Sequence, residues 1–418
     1  MRLAVVGNPE NRRVALFSAA VERAGLRAPE VFAWRDVLVP GRVPGPGTLV
    51  RIESPGENAE VDRLLRGLGG DHRAAAHGEI RGAAAGFTGL SMALERIAAG
   101  GGTLLNQPAD ILTMTAKPRC HAALAGAGIA VPPALEAPVP ALARAAAPTP
   151  GVAPPTPGVA APTPGVAPPT PSLAPPTPSL APLTPGLALP SSAGSVTGYE
   201  SLRAAMDSAG WSRVFVKAAY GSSASGVLAL AVGGRRDTPA GRRIMAMTSV
   251  ELSNGKIFNN LRVRRYDEEA SIAAIIDRLA PDGLHVECWY PKAALDGRVL
   301  DLRVVVIAGR ARHVVVRTSR SPMTNLHLGN ARGDVTAVRA AVGEQQWEAA
   351  MDTCVRAAGC FPGTLHAGVD LMFRTGWREH AVAEVNAFGD LLPRVLSEDG
   401  LDTYDAQVAA LRAGWSPP

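Results

Sequence analysis

Gly368-Val369-Asp370-Leu371-Met372-Phe373, followed shortly by Ala383-Glu384-Val385-Asn386, is the stretch on which the fold turns. Both runs read as apolar strands, yet each carries acids or an amide where a plain sheet would place Val or Thr. Side chains at i and i+2 of a strand share a face, so Glu384 and Asn386 project together. The intervening Arg374-Thr375-Gly376-Trp377-Arg378-Glu379 has the composition of a hairpin turn, which would bring Asp370 alongside them. The result is a patch of oxygen ligands on an apolar sheet. Flanking Ala, Val, Leu and Phe argue against a merely polar outer face. Mg²⁺ prefers one or two carboxylates, with water and phosphate oxygens completing its shell. The stretch is therefore read as a Mg²⁺–nucleotide site, with Asp370, Glu384 and Asn386 as metal ligands and Mn²⁺ as the alternative ion.

Upstream, Arg213-Val214-Phe215-Val216-Lys217 is a strand that runs through Ala218, Ala219 and Tyr220 into Gly221-Ser222-Ser223-Ala224-Ser225-Gly226. Gly and Ser let backbone N–H groups approach phosphate oxygens, and Lys217 supplies a point charge. The Lys precedes the loop and the Gly-x-x-x-x-Gly-Lys order is absent, so this is no Walker A motif. His285 to Lys292 ends a strand in a turn. Asp301-Leu302-Arg303-Val304-Val305-Val306 and His313 to Arg317 are further strands. Arg303, with apolar residues on both sides, needs an anionic partner, and phosphate or a reacting carboxylate would serve. Met323 to Asn330 is a polar loop able to close over a ligand. His313 and His327 are acid–base candidates by residue type, although His313 is expected to be structural.

The first 108 residues alternate strand and helix: Leu3–Val6, then Val14–Ala24 stopped by Gly25, then Thr48–Ile52. Ser54 is expected to cap the next helix, with Pro55 as its first residue and Glu57 as capping-box partner. That helix covers Asn58–Leu68, and another covers Ala83–Ala99. This order implies a parallel, Rossmann-like sheet. Asn11, Arg12, Arg13, Arg51 and Glu53 lie at strand C-terminal ends, where such sheets bind ligands, and could supply part of an acceptor pocket. Order after residue 198 resumes with a helix at Leu202–Ala209 and a strand at Val214–Lys217. The region Met245–Phe373 reads as strands interrupted by helices at Glu269–Leu279 and Gln345–Ala358, an α+β pattern. Between the two parts, residues 137–198 repeat Thr-Pro at Thr149, Thr156, Thr163, Thr170, Thr177 and Thr184, a period of seven. Pro at this density cannot build a core, and it forbids a coiled coil. A disordered spacer is the expectation, ahead of a ligand for an SH3-type groove.

Composition narrows the function classes. The chain has 418 residues and a net charge of +5, too weak and dispersed to argue for nucleic acid. Of 42 basic residues only Lys117, Lys217, Lys256 and Lys292 are Lys. In so Arg-rich a chain a surviving Lys merits notice, because a compact ammonium does what a planar guanidinium cannot. Lys256 is expected to be a surface survivor. Cys120, Cys288, Cys354 and Cys360 stand at no metal-ligand spacing and read as free thiols in a reducing cytoplasm. No signal segment and no apolar run of the roughly 18 residues needed to span a membrane is present, so a soluble cytoplasmic protein is expected.

Taken in order, these blocks resemble the ATP-grasp superfamily, and within it the glutathione synthetase and ribosomal-protein glutamate ligase branch. The resemblance covers residues 106–136 and 199–395. It begins at Asn106-Gln107-Pro108, Thr115-Ala116-Lys117-Pro118 and Gly128-Ile129-Ala130-Val131-Pro132, where Lys117 looks like the first nucleotide Lys. Lys217 and Gly221 to Gly226, with Ser222 and Ser223, match the second Lys and the phosphate loop. Glu287 to Pro291, including Trp289, match the adenine hinge. Asp301-x-Arg303, Arg317 and the Asn325-Leu326-x-x-Gly329 loop follow, and Asp370, Glu384 and Asn386 match the metal trio. Asn330 replaces a second Gly, and the segment after Asn386, Ala387 to Arg394, is unlike the synthetase ending.

The resemblance implies a Rossmann-like domain at 1–108 and an ATP-grasp domain at 109–136 and 199–418, with two α+β subdomains sandwiching ATP. It also implies an ATP-dependent carboxylate–amine ligase working through an acyl phosphate, with Arg303 and Arg317 as catalytic residues. Its partners would be a small amino-acid- or peptide-like carboxylate and an amine. A phosphotransferase, or an ATP-binding scaffold using the Pro-rich arm, are the alternatives. Oligomerisation is left open.

Overall fold

The computed structural model describes residues 1–135, 196–221, 225–233 and 243–418. The heptapeptide repeats and Ser222 and Ser223, expected to contact phosphate, lie outside these. The N-terminal sheet is parallel throughout, in the order β2-β1-β3-β4, with β1 at Leu3–Gly7, β2 at Glu30–Ala33, β3 at Leu49–Ile52 and β4 at Thr103–Leu104. Its helices are α1 (Arg12–Arg23), α2 (Trp34–Leu38), α3 (Ala59–Leu68) and α4 (Ala83–Ala99), and then α5 (Pro108–Thr115) and α6 (Lys117–Gly126) lead out of it. The expected α/β alternation is therefore present.

One local expectation fails. The cap of α3 is Asn58, whose side-chain oxygen accepts from the Val61 N–H at 2.9 Å. Ser54 instead closes a tight turn by accepting from Gly56 N at 3.2 Å, and Glu57 takes a left-handed backbone conformation. Asn is as good a cap as Ser, and it stands one residue before the apolar periodicity begins.

Two antiparallel sheets follow, as the α+β pattern predicts. The first runs β5-β10-β6-β7-β8-β9, with β5 at Ala134–Leu135, β6 at Arg213–Ala218, β7 at Leu228–Gly233, β8 at Arg243–Ser253, β9 at Lys256–Tyr266 and β10 at Leu284–Cys288. Helices α7 (Tyr199–Ser208) and α8 (Glu269–Leu279) cover one face. On β6 the period of two places Val214 and Val216 in that core and leaves Phe215 and Lys217 on the opposite face.

The second runs β14-β13-β12-β15-β16, with β11 (Ala294–Leu295) paired to β12 (Arg298–Ile307). Its other members are β13 at Arg310–Ser319, β14 at Ala331–Gly333, β15 at His366–Phe373 and β16 at His380–Asn386. Helices α9 (Val335–Val342) and α10 (Glu344–Gly359) pack against it. Leu300, Leu302, Val304 and Val306 of β12 share the core with Trp347, Ala350, Cys354 and Ala357 of α10. Val305 and Ile307, on the other face, join a core with α1 and the last helix, α11 (Thr403–Arg412). Asp301 and Arg303 lie on that face too, beyond its apolar end. No helix among the described residues is long and apolar enough to cross a membrane.

Helices α3 and α4 touch backbone to backbone. A Cβ on Gly89 would lie 1.9 Å from the Leu65 carbonyl oxygen. Gly89→Ala gains about 1 kcal/mol of helix propensity. Overpacking of this kind costs about 1–3 kcal/mol or more, because both contacting atoms are fixed on helices. We expect a lower urea midpoint for Gly89→Ala, and an unchanged or higher midpoint would contradict this packing.

Candidate active site

The face of β6 and β10 bearing Phe215, Lys217 and Glu287, and the face of β12, β13, β15 and β16 bearing Asp301, Arg317, Asp370 and Glu384, line one narrow slot. The sheets build it by register. On β10, Leu284 and Val286 enter the core, so His285 and Glu287 share the slot face. Lys217 Nζ lies 2.7 Å from Glu287 Oε2, and His285 Nε2 lies 2.9 Å from Glu287 Oε1. A carboxylate only accepts, so Nε2 carries the hydrogen. Burial pushes the Glu287 carboxyl up, but Lys217 and the His285 hydrogen bond outweigh it and hold the group down at about 2. Burial also works against the Lys217 ammonium, and Glu287 and then Glu384 reverse it, leaving the pKa raised.

The opposite wall is a ladder of buried charges. Asp301 faces Arg317 across β12–β13, and Arg303 faces Asp370 across β12–β15. Lys292 Nζ donates to Asp301 Oδ2 at 3.1 Å, Arg317 Nε to Asp301 Oδ1 at 2.7 Å, and Arg317 Nη2 lies 3.0 Å from Asp370 Oδ2. Arg303 donates to both oxygens of Asp370, and Thr324 donates its hydroxyl to Asp301. The anionic partner demanded by the largely withdrawn Arg303 is thus a carboxylate of the chain itself. Burial raises the Asp301 and Asp370 carboxyls, and the adjacent cations overcome this and depress both.

The hairpin after β15 forms where expected, and its register opposes Asp370 to Glu384. A bulge at Ala383 shifts the pairing at that point, so Ala383 and Glu384 both face the slot. Asn386 Nδ2 donates to Gly368 O at 3.4 Å and to Glu384 Oε1 at 3.3 Å. Among the described residues no three His, Cys, Asp or Glu side chains are grouped to hold a metal ion. The candidate set is two carboxylates and an amide, all oxygen donors. With phosphate oxygens and water this suits Mg²⁺, although a cation there would compete with Arg303 and Arg317 for Asp370.

The slot opens into a chamber of about 500 Å³. Lys117, Ser225, Arg317, Asn325 and Glu384 line both cavities. Lys117 starts α6, and its Nζ donates to Gly221 O at 2.6 Å. Gly226 has a φ of +69°.

Several expected placements shift. The Trp289 ring packs on Phe215, 5.3 Å between centroids, and it is the flanking Cys288 and Tyr290 that line the slot. His313 is buried against Leu401 O at 2.9 Å, as expected of a structural His, whereas His327 lies exposed at the chamber. Lys256 is half-exposed and pairs with Glu79 at 3.0 Å. Lys292 was not foreseen as a site residue, and its one sequence signal is the scarcity of Lys.

Of the five N-terminal residues considered for an acceptor pocket, Arg13 alone lines the chamber. Asn11 caps α1 and Arg12 is exposed. Arg51 and Glu53 are buried, with Arg51 donating to Glu53, Asp390 and Gln407. Sequence cannot separate a ligand-facing charge from one neutralised by a distant segment.

No protein-family model matches the chain, and no curated protein matches it. Among solved structures it is similar to D-cycloserine synthetase DcsG, at 15% identity and a TM-score of 0.49, over 99% of this chain and 99% of that one. It is also similar to ATP-grasp ligase PsnB complexed with minimal precursor, Mg and ADP, at 16% identity and a TM-score of 0.46, over 98% and 96%. A third is macrocyclase MdnB from Microcystis aeruginosa, at 13% identity and a TM-score of 0.44, over 99% and 100%. Likeness at this level assigns no activity.

Glu287 links the site to stability. Its folded pKa is about 2 against an ordinary 4.5, so its ionised form stabilises the fold above pH 4.5 and loses that effect as pH falls toward 2. The contribution is on the order of 3 kcal/mol at neutral pH. The stability gap between wild type and Glu287→Gln should therefore be widest near neutrality and narrow below pH 4.5 in denaturant titrations. A pH-independent gap would refute the assignment.

Proposed function

We propose that this chain is an ATP-dependent carboxylate–amine ligase of the ATP-grasp kind, acting through an acyl phosphate on a small amino-acid- or peptide-like substrate. The observation that carries the proposal is the shared wall: a slot and a larger chamber meet at Lys117, Ser225, Arg317, Asn325 and Glu384. A nucleotide in the slot would present its terminal phosphate at this junction. The acceptor carboxylate would reach it from the chamber.

Phosphoryl transfer asks a protein for position and charge rather than for a nucleophilic side chain. The chain's residues meet that demand. Lys217, buried and held ionised by Glu287, supplies a fixed cation beside the phosphates. Lys117, anchored to the Gly221 carbonyl, supplies a second at the junction. Cys288 and Tyr290 flank the base end. Arg317 lies at the junction, where charge on the transferring group is greatest. Arg303 lines the chamber, where the acyl phosphate and then the tetrahedral adduct would develop negative oxygens. Asp370, Glu384 and Asn386 would hold Mg²⁺, which when bound neutralises charge on phosphate oxygens.

A phosphotransferase is the second reading, because it needs the same slot. The chamber favours the ligase: about 500 Å³ lies within the range of small-molecule sites and leaves room for an amine beside the carboxylate.

Calorimetric titration of MgATP into wild type and Glu384→Ala tests the nucleotide site. We expect binding in the wild type, weakened by about tenfold or more in the variant. Absence of MgATP binding in a folded wild-type protein would overturn the reading. With a turned-over carboxylate, release of inorganic phosphate that requires an amine would separate ligase from phosphotransferase.

A further inference from the structure

The segment after the metal trio, Ala387 to Leu392, is the part least like the family ending, and it forms a strap along the chamber wall. Its closeness to the sheet depends on two glycines. A Cβ on Gly389 would lie 2.7 Å from the Gly368 Cα, and one on Gly368 would lie 2.7 Å from the Gly389 Cα. Consecutive carbonyls of the strap receive two guanidiniums from segments far apart in the chain. Arg13 Nη2 donates to Phe388 O at 3.3 Å, and Arg303 Nη1 donates to Gly389 O at 3.3 Å. Both Arg side chains line the chamber.

Their charges are not equally satisfied. Arg303 is held by both oxygens of Asp370. Arg13 has no such partner. Its nearest acids are Asp390 Oδ1 at 3.9 Å and Glu57 Oε1 at 4.0 Å, both beyond hydrogen-bond reach. Asp390 Oδ2 accepts from Arg51 and Gln407, while its Oδ1, the atom toward Arg13, makes no hydrogen bond among the described residues and acts on Arg13 by charge alone. Glu57 is exposed and accepts from Asn11 at 3.0 Å. Arg13 nevertheless keeps only 16% of its side chain exposed. A guanidinium so far withdrawn from water, with Nη1 making no hydrogen bond among the described residues and the side chain on the chamber wall, suits a carboxylate ligand.

We propose that Arg13 and Arg303 form a two-guanidinium clamp selecting a small substrate with two carboxylates: one reacts beside Arg303, and the other is held by Arg13 and does not react. The two anchors are consecutive residues of the strap, so both guanidiniums meet one short stretch of the chamber wall, and glutarate is the probe of a short span between the carboxylates. Phe388, Leu391 and Leu392 on the same wall suit an apolar spacer. Arg13 is then a specificity-determining residue. The proposal rests on the ligase reading for the identity of the reacting group, but the clamp itself can be measured without turnover.

The test is calorimetric titration of glutarate and of butyrate into wild type, Arg13→Gln, Arg13→Lys and Arg12→Gln, with and without MgAMPPNP. Glutarate should bind wild type and Arg12→Gln more tightly than butyrate does. Arg13→Gln should weaken glutarate by about tenfold or more while moving butyrate less than about twofold. Arg13→Lys keeps a countercharge beside Asp390 and so guards against a misfolded variant. It should also lose most of the preference for glutarate, because an ammonium lacks the fork. Equal glutarate and butyrate affinities in wild type, or an undiminished preference in Arg13→Lys, would overturn the clamp. MgAMPPNP failing to bind would overturn the ligase reading instead, and the glutarate comparison would still decide the clamp.

Discussion

The pairing of β12 with its two neighbours is the constraint on which the rest depends. It sets Arg303 against Asp370 and Arg317 against Asp301, with Asp301, Arg317 and Asp370 buried. Buried charges are tolerable only when paired, and breaking such a pair costs far more than never having built it. A one-residue slip of β12 would turn Arg303 and Asp301 into the apolar layer beneath α10 and bring Leu302 and Val304 to the slot. The ladder therefore works mainly as a register lock. Because the two Arg also line the chamber, the lock is part of the chamber wall.

A second buried network ties the N-terminal sheet to the C-terminal elements. Arg51 on β3 sits between Glu53, Asp390 and Gln407, with the Phe17 ring 4.8 Å from its guanidinium carbon and the Tyr404 ring 5.3 Å away. Burial pushes the Glu53 carboxyl upward, and the opposing pull of Arg51 does not fully offset it. His366, buried beside Asp390, is held near 4, because burial outweighs that carboxylate, and so stays neutral. Strap and N-terminal sheet are joined at Asp390, one residue beyond the carbonyl that meets Arg303. The chamber wall is thus braced from behind by charges that do not line it.

The strand and helix pattern was largely readable because period and capping are local. The helix at Glu269–Leu279 matches its expected span, and the hairpin linking Asp370 to Glu384 forms from its Gly-containing turn. Ser54 misled because its neighbours also fit a capping box, whereas the structure begins the helix at the equally suitable Asn58. Trp289 misled for a different reason. Strand alternation would put it on the face of Glu287, but β10 ends at Cys288, so alternation no longer sets its direction and its ring packs on Phe215.

The sequence by itself determined the layered α/β and α+β order, the spacing that puts Glu384 and Asn386 on one face, and the presence of cationic side chains beside a small-residue loop. All of these follow from interactions within a few residues. Only the tertiary structure decided the use of the charges. Arg51 and Arg13 are equally plausible ligand residues in the chain, yet Arg51 is buried and hydrogen-bonded to Asp390, 339 positions away, whereas Arg13 only approaches that carboxylate at 3.9 Å and lines the chamber. Electrostatic pairing acts through space and not along the chain, and burial, which sets its strength, exists only once distant segments have packed.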